Sequence, residues 1–184
     1  MADFQRWRAS GLQVPRIAVN VSPVQLRQKD FVATVVHVLQ GAPDTAGALE
    51  IEITESLIMQ DIAANIEKLQ AIRETGVEVA IDDFGTGYSS LSYIAQLPIN
   101  TLKIDRTFIM NLERNPGDVS IVSTIISLAH SLDLRIIAEG VETMEQANLL
   151  RLLKCDEMQG YLFSPAVPAD QIEVFLREKK SLPR

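Results

Sequence analysis

The sequence predicts an α/β fold of the (β/α)-barrel kind, and three observations carry that reading. Short β-rich runs alternate with helical patterns along the chain. Helix-start signals stand between the runs. Carboxylates and amides collect at the ends of the runs. The strand–helix–strand–helix order implies parallel strands joined by helical crossovers. That order alone fits an open doubly wound sheet as well as a barrel; the third observation decides between them.

The elements follow in order. Met1–Arg8 carries Asp3, Arg6 and Arg8 and no apolar run. It is therefore not a secretory signal. The first strand is expected over Arg16–Val21. Ser22-Pro23-Val24-Gln25 then opens a helix with a capping serine, a first-turn proline and a glutamine three residues on. Leu49–Ile53 is the second strand. After it, Ile58, Ile62, Ile66, Leu69 and Ile72 recur every three or four residues, one apolar stripe on a helix. Val77–Asp82 and Thr101–Ile104 are the third and fourth strands. Ile121–Leu134 is the richest apolar segment, but Ser123, Thr124, Ser127, His130 and Asp133 interrupt it. It falls short of the ~18 apolar residues of a membrane span and reads as a buried helix. Arg135–Ala138 is the fifth strand. Thr143-Met144-Glu145-Gln146 repeats the capping-box pattern. Gln159–Phe163 is expected as the sixth. No linker or repeat interrupts residues 1–184, so the chain reads as one domain.

Composition narrows the function. Hydrophobic residues make up 47% of the 184 residues and charged residues 22%, a globular balance. The net charge is −7, which argues against DNA or RNA as a polymeric partner. A bound metal can still reverse the local sign for a phosphate ligand. Cys155 is the one cysteine, so no internal disulfide forms. It reads as a small buried hydrophobe and fits a reducing compartment.

The strand ends choose the barrel. The first run ends in Asn20. Glu50, Glu52 and Glu55 lie in and after the second. Asp82 and Asp83 end the third. Lys103 and Asp105 mark the fourth, Glu139 follows the fifth, and Gln159 opens the sixth. An open sheet concentrates its site between two strands at a switch point. A barrel gathers its site from the carboxyl ends of many strands. Neighbours in a strand point to opposite faces, so Asp82 and Asp83 serve one site only if the strand ends there. Phe84-Gly85-Thr86-Gly87 supplies that end. Adjacent carboxylates repel, and a divalent cation resolves the conflict. Oxygen ligands of this kind suit Mg²⁺, Mn²⁺ or Ca²⁺. His37 and His130 lie in helical stretches with no Cys/His cluster, so zinc is not expected. Asp83 or Glu139 alone would read as a helix cap. Acids at four strand ends do not. Lys103 in an apolar strand reads either as the ion-pair partner of a neighbouring acid or as a group acting on water or phosphate charge.

On these residues a family resemblance appears. The segments Asn20-Val-Ser-Pro, Glu52-Ile-Thr-Glu55-Ser, Asp82-Asp-Phe-Gly-Thr-Gly-Tyr-Ser-Ser-Leu91, Lys103-Ile-Asp-Arg-Thr-Phe108, Ala138-Glu-Gly-Val-Glu-Thr143 and Gln159-Gly-Tyr-Leu-Phe-Ser164 resemble those of the EAL domain. That family comprises bacterial phosphodiesterases that open cyclic di-GMP to linear pGpG. The resemblance runs from about Trp7 to about Leu176. It implies a TIM-like barrel and a two-metal site for Mg²⁺ or Mn²⁺. Asn20, Glu52, Asp82 and Glu139 match metal ligands, with Asp83 on the second metal. Gln159 matches a residue at the metal and water site, and Lys103 one that contacts the hydrolytic water. Glu55 matches the glutamate that anchors the Asp-Asp-Phe-Gly-Thr-Gly loop. Asp105 and Glu142 match further binding residues. The loop Phe84–Ser90 is expected to couple metal binding to dimer contacts. The resemblance also implies a cytoplasmic bacterial setting within a larger signalling protein.

The chain departs from the family pattern twice. The namesake Glu-Ala-Leu strand is missing, since Ala48-Leu49-Glu50 belongs to another strand. A full barrel takes ~250 residues. The expectation is a barrel incomplete at its N-terminus, with about six strands and one metal ligand fewer. Ser164-Pro165-Ala166 also stands where the family has a basic residue before proline. Three readings stay open: an active two-metal phosphodiesterase, a module that binds cyclic di-GMP without cutting it, and a homo-oligomer assembled through open strand edges. A metal-dependent barrel enzyme of another class, using a Lys or His base on a carbon acid, is the remote fourth.

Overall fold

The structure, a computed structural model, describes residues 2–41, 43–87 and 91–182. Helix α1 (Ala2–Ala9) precedes strand β1 (Ile17–Asn20), and α2 (Pro23–Arg27) and α3 (Phe31–Gln40) follow. A 3-10 turn (Pro43–Ala48) leads into β2 (Leu49–Thr54), then α4 (Glu55–Ile58) and α5 (Ile62–Arg73). Next come β3 (Glu78–Phe84), α6 (Leu91–Ile94), β4 (Thr101–Ile104), α7 (Arg106–Ile109) and α8 (Pro116–Ser131). The chain continues through β5 (Arg135–Ala138), α9 (Met144–Leu152), β6 (Glu157–Met158) and α10 (Ala169–Glu178).

The six strands are parallel and pair in chain order, β1-β2-β3-β4-β5-β6. The sheet is curled into a half-barrel. Strands lie roughly 4.8 Å apart, so the edges of a flat six-stranded sheet stand about 24 Å from each other. Here Arg16, just before β1, places Nη2 3.1 Å from Oε1 of Glu157 at the start of β6. Only a strongly curved sheet brings those ends within one side chain's reach. Among the described residues β1 and β6 do not pair by hydrogen bonds.

The start signals act as expected. Ser22 accepts from the Gln25 N–H while Gln25 reaches back to the Ser22 backbone, and Thr143 and Gln146 do the same for α9. The expected apolar stripe is split. Ile58 ends α4, and a new helix begins at Ile62 after Asp61 caps it. Leu69 and Ile72 are fully buried against the sheet, while Ile62 and Ile66 are half-buried. The core also takes in Ile53, Ile81, Leu102, Ile104, Ile109 and Ile126 between strands and helices. Each such side chain contributes about 1.5–3 kcal/mol by leaving water. All four residues of β4 are buried, as befits a strand covered on both faces.

Two expectations are corrected. The sixth strand is Glu157–Met158, and Gln159–Phe163 forms a turn. Gly160 explains it: a Cβ there would lie 2.1 Å from the Val141 carbonyl oxygen, and the Phe163 and Ser164 N–H groups fold back onto the Gly160 carbonyl. Tyr161 and Phe163 in that run are exposed, and Phe163 meets Phe175 of α10 edge-on. The third strand also does not stop at Asp82 or Asp83. It runs to Phe84 through a bulge.

Candidate metal centre

The parallel order puts the carboxyl ends of all the strands at one mouth. Glu52 lies in β2, Asp82 and Asp83 in β3, Lys103 in β4, and Glu139 directly after β5. The bulge brings the two aspartates to the same side. Pairing shifts register between Ile81 and Phe84, and Asp83 takes φ 55°. Aspartate tolerates that left-handed geometry better than most residues do. Oxygens of Asp82, Asp83 and Glu139 consequently lie within 4.8 Å of one another.

Lys103 stands against the same group. It is 2% exposed, and its ammonium lies 2.7 Å from Glu52 Oε1, 3.0 Å from Asp82 Oδ1 and 2.6 Å from Glu139 Oε1. Burial by itself pulls the Lys103 pKa down. Hydrogen bonds to Glu139 and Glu52, with their charges, outweigh burial and hold it above the usual lysine value. Burial raises Glu52 and Glu139 above the ordinary carboxylate range despite Lys103, and neighbouring acids add to it. Asp83 is also raised, by burial first and then by Asp82 and Asp105.

The donor set fits a hard divalent ion. Three carboxylates from two strand ends converge, and hard cations favour such oxygen ligands. Asp82 Oδ1 is buried and makes no hydrogen bond, since its approach to Lys103 lacks hydrogen-bond geometry. The Lys103 ammonium balances that oxygen's charge but leaves its hydrogen-bonding capacity unused, and a metal could take it up. Asp82, Asp83 and Glu139 are the residues that would hold a metal, with Glu52 beside them.

The other candidates spread around this cluster. Asn20 ends β1 opposite Glu52 in register and is exposed. Glu55 is buried at the start of α4 and accepts the Gly85 N–H at 3.0 Å. A Cβ on Gly87 would lie 2.6 Å from Glu55 Oε1, so a larger residue there would require the Glu55 carboxylate to shift. Tyr88, Ser89 and Ser90 of the expected loop lie outside the described residues. Asp105 caps α7 by accepting the Thr107 N–H at 2.9 Å and hydroxyl. Burial opposes ionisation of Asp105, but the Thr107 bonds and a contact with Asp83 bring its pKa below the ordinary value. Gln159 is tied by its backbone to Ala138 and Val141 on either side of Glu139, and its side chain is exposed. Glu142 is exposed, and its N–H joins the Gln146 cap.

Glu50, expected at the shared site, belongs to the opposite end of the sheet. It shares the inward face with Glu52 but lies two residues nearer the strand start. It accepts from Thr101 at 2.9 Å and from Arg135 at 3.2 Å, with Arg16 at 3.8 Å. Arg135 and Arg16 also reach Glu78, at 2.5 and 3.3 Å. Sequence reasoning overlooked this ring and the role of Thr107. The first had one local signal, an arginine at the start of two apolar strands.

The EAL domain family model matches residues 1–166. A curated relative, the cyclic di-GMP phosphodiesterase NbdA of Pseudomonas aeruginosa, is 43% identical over 95% of this chain and 22% of its own length. The signaling protein YkoW of Bacillus subtilis is 38% identical over 95% of this chain and 22% of its own. The chain thus spans about a fifth of the length of these relatives. Among solved structures, the EAL domain of Mycobacterium smegmatis DcpA superposes with TM-score 0.91 at 43% identity, covering 99% of this chain and 82% of that one. The PaMucR phosphodiesterase in complex with c-di-GMP superposes with TM-score 0.88 at 40% identity, covering 92% of this chain and 69% of that one.

Proposed function

This chain belongs to the EAL domain family, and from that premise we propose that it is the metal-dependent phosphodiesterase portion of a longer bacterial protein, opening cyclic di-GMP to linear pGpG. One observation carries the reading: Asp82, Asp83 and Glu139 converge within 4.8 Å beside the buried Lys103. Two Mg²⁺ or Mn²⁺ ions would supply the chemistry that makes water nucleophilic at neutral pH and draws charge from the phosphate.

The chain's own residues do the rest. Asp82, Asp83, Glu139 and Glu52 would hold the ions, with Asn20 and Gln159 at the rim. Lys103 donates hydrogen bonds into the centre and favours negative charge there. Glu55 fixes the loop after Asp83 through the Gly85 N–H, which keeps the bulge and both aspartates in place. Asp105 caps α7 and faces Asp83, so it orients that carboxylate. Glu142 is a further binding residue by its match to the family motif, exposed three residues after Glu139. The relatives' greater length supports a place within a larger signalling protein, and the free, buried Cys155 is consistent with a cytoplasmic one.

A chromatographic assay tests the proposal. Cyclic di-GMP incubated with the chain and Mg²⁺ or Mn²⁺ gives pGpG, and chelator stops it. A metal-saturated, folded chain that leaves the substrate intact contradicts catalysis. A second reading, a homo-oligomer, is favoured by β1, an edge strand with Val19 45% exposed. Such edges invite pairing with another copy. Light scattering across a concentration series decides it.

A further inference from the structure

Lys103 supports an inference that goes beyond the reaction and rests on reading the acidic cluster as a metal centre. Its three nearest carboxylates come from three different places in the sheet: Glu52 on β2, Asp82 on β3 and Glu139 after β5. Lys103 lies on β4, between β3 and β5. Two of those three, Asp82 and Glu139, are also members of the carboxylate group suited to a divalent ion. Lysine and metal therefore draw on the same acids.

We propose that the Lys103 ammonium is a resident cation that holds the carboxylates in place and competes with the metal for them. The ammonium has three N–H donors and faces three carboxylates at 2.6–3.0 Å. Remove that charge and three buried acids face one another with no cation, which favours their separation or protonation. When a divalent ion takes Asp82 and Glu139, two outcomes are open to the lysine. It stays and is repelled by the ion, or it swings away and loses its ion pairs. Both oppose the metal. A flexible four-carbon stem carrying a compact charge suits this exchange better than a planar guanidinium. The centre is thus preformed by its own cation, and metal affinity is lower than the carboxylates alone would give.

The test measures binding, not turnover. Mn²⁺ is titrated calorimetrically into the wild-type chain and into Lys103→Met, and both are melted in chelator. The expected result is Mn²⁺ binding at least about tenfold tighter in Lys103→Met, because a neighbouring positive charge has gone. Its Tm in chelator falls, and Lys103→Met/Glu139→Gln regains part of that Tm by removing one unbalanced acid. A lysine that merely filled space would give neither the tighter binding nor the rescue. Unfolding of Lys103→Met in chelator with recovery in Mn²⁺ is the same result in stronger form; failure to recover in Mn²⁺ overturns the proposal. Wild-type binding with equal or weaker binding in Lys103→Met overturns the resident-cation role alone. No Mn²⁺ binding by the wild type removes the metal centre and this inference together.

Discussion

At Asp82 a buried oxygen, Oδ1, sits 3.0 Å from the Lys103 ammonium without an aligned hydrogen bond. Its partner Asp83 bends back on a left-handed φ to share the same space. These two residues lie at the heart of the proposed metal centre, and Asp82→Asn is the direct probe. It keeps the shape but halves the ligand's capacity and removes a charge. Metal-dependent turnover is expected to fall at least about a hundredfold, as when one member of a cooperating catalytic set is lost. Turnover equal to the parent's would show that the ligand assignment is wrong. Cys155 marks the other extreme of residue behaviour. Burial pushes its thiol up to about 11, and its sulfur lies against the Glu157 and Ile136 carbonyls. A raised pKa leaves less thiolate at a given pH, and thiolate is the reactive form. At pH 8 a disulfide reagent should label the native chain more than about a hundredfold slower than the unfolded chain. Equal rates would mean the thiol is accessible. Asp82, Asp83, Lys103 and Glu139 were legible as residues because charge at the end of an apolar run is conspicuous. Which acids Lys103 would touch was not, because that depends on strand order and bulge.

The elements show how local sequence positions those residues. β3 carries the aspartates through its bulge, and the loop that follows is pinned from two sides. Glu55 holds the Gly85 N–H, and Phe108 packs where a Gly85 side chain would stand, 2.8 Å from a built Cβ. Gly85 also has φ +98°, a conformation open to glycine and strained for any other residue. Gly85→Ala is expected to destabilise the chain by about 1–3 kcal/mol, and to weaken metal binding by moving Asp83. Urea titrations with and without Mn²⁺ measure both effects; an unchanged midpoint would show that the loop does not need that geometry. Element positions were readable from short apolar runs bounded by turn signals, and five of six strands lie where those runs stand. The sixth was not. Its two residues, Glu157 and Met158, form no apolar run, while Tyr161-Leu162-Phe163 next door imitates one. Only Gly160's closeness to Val141 shows why the chain turns there.

At the scale of the whole molecule, two clusters hold opposite ends of one curved sheet. The mouth gathers Glu52, Asp82, Asp83, Lys103 and Glu139. The far end gathers Arg16, Glu50, Glu78, Thr101, Arg135 and Glu157, and so draws on β2 to β6 and on the residue just before β1. Polar groups at that end of a barrel serve stability. Arg135→Met leaves the buried Glu50 short of a partner and is expected to cost about 1–3 kcal/mol, less than a fully buried pair because Arg135 is partly exposed. Metal affinity should stay near the parent value. A large loss of affinity with little loss of stability would show that the two ends are not separate in function. The barrel-like curvature was legible from acids at many strand ends. The fate of Glu50 was not. Its period places it on the inward face with Glu52, but which end it serves depends on Arg16 and Arg135, remote in sequence.

The central claim is that Asp82, Asp83 and Glu139 are a divalent-metal centre. Anomalous diffraction from crystals of this chain grown with Mn²⁺ tests it most directly. The account predicts an anomalous peak within coordination distance of oxygens of all three residues, roughly 2.0–2.6 Å. A chain saturated with Mn²⁺ in solution whose only peaks lie elsewhere would contradict it.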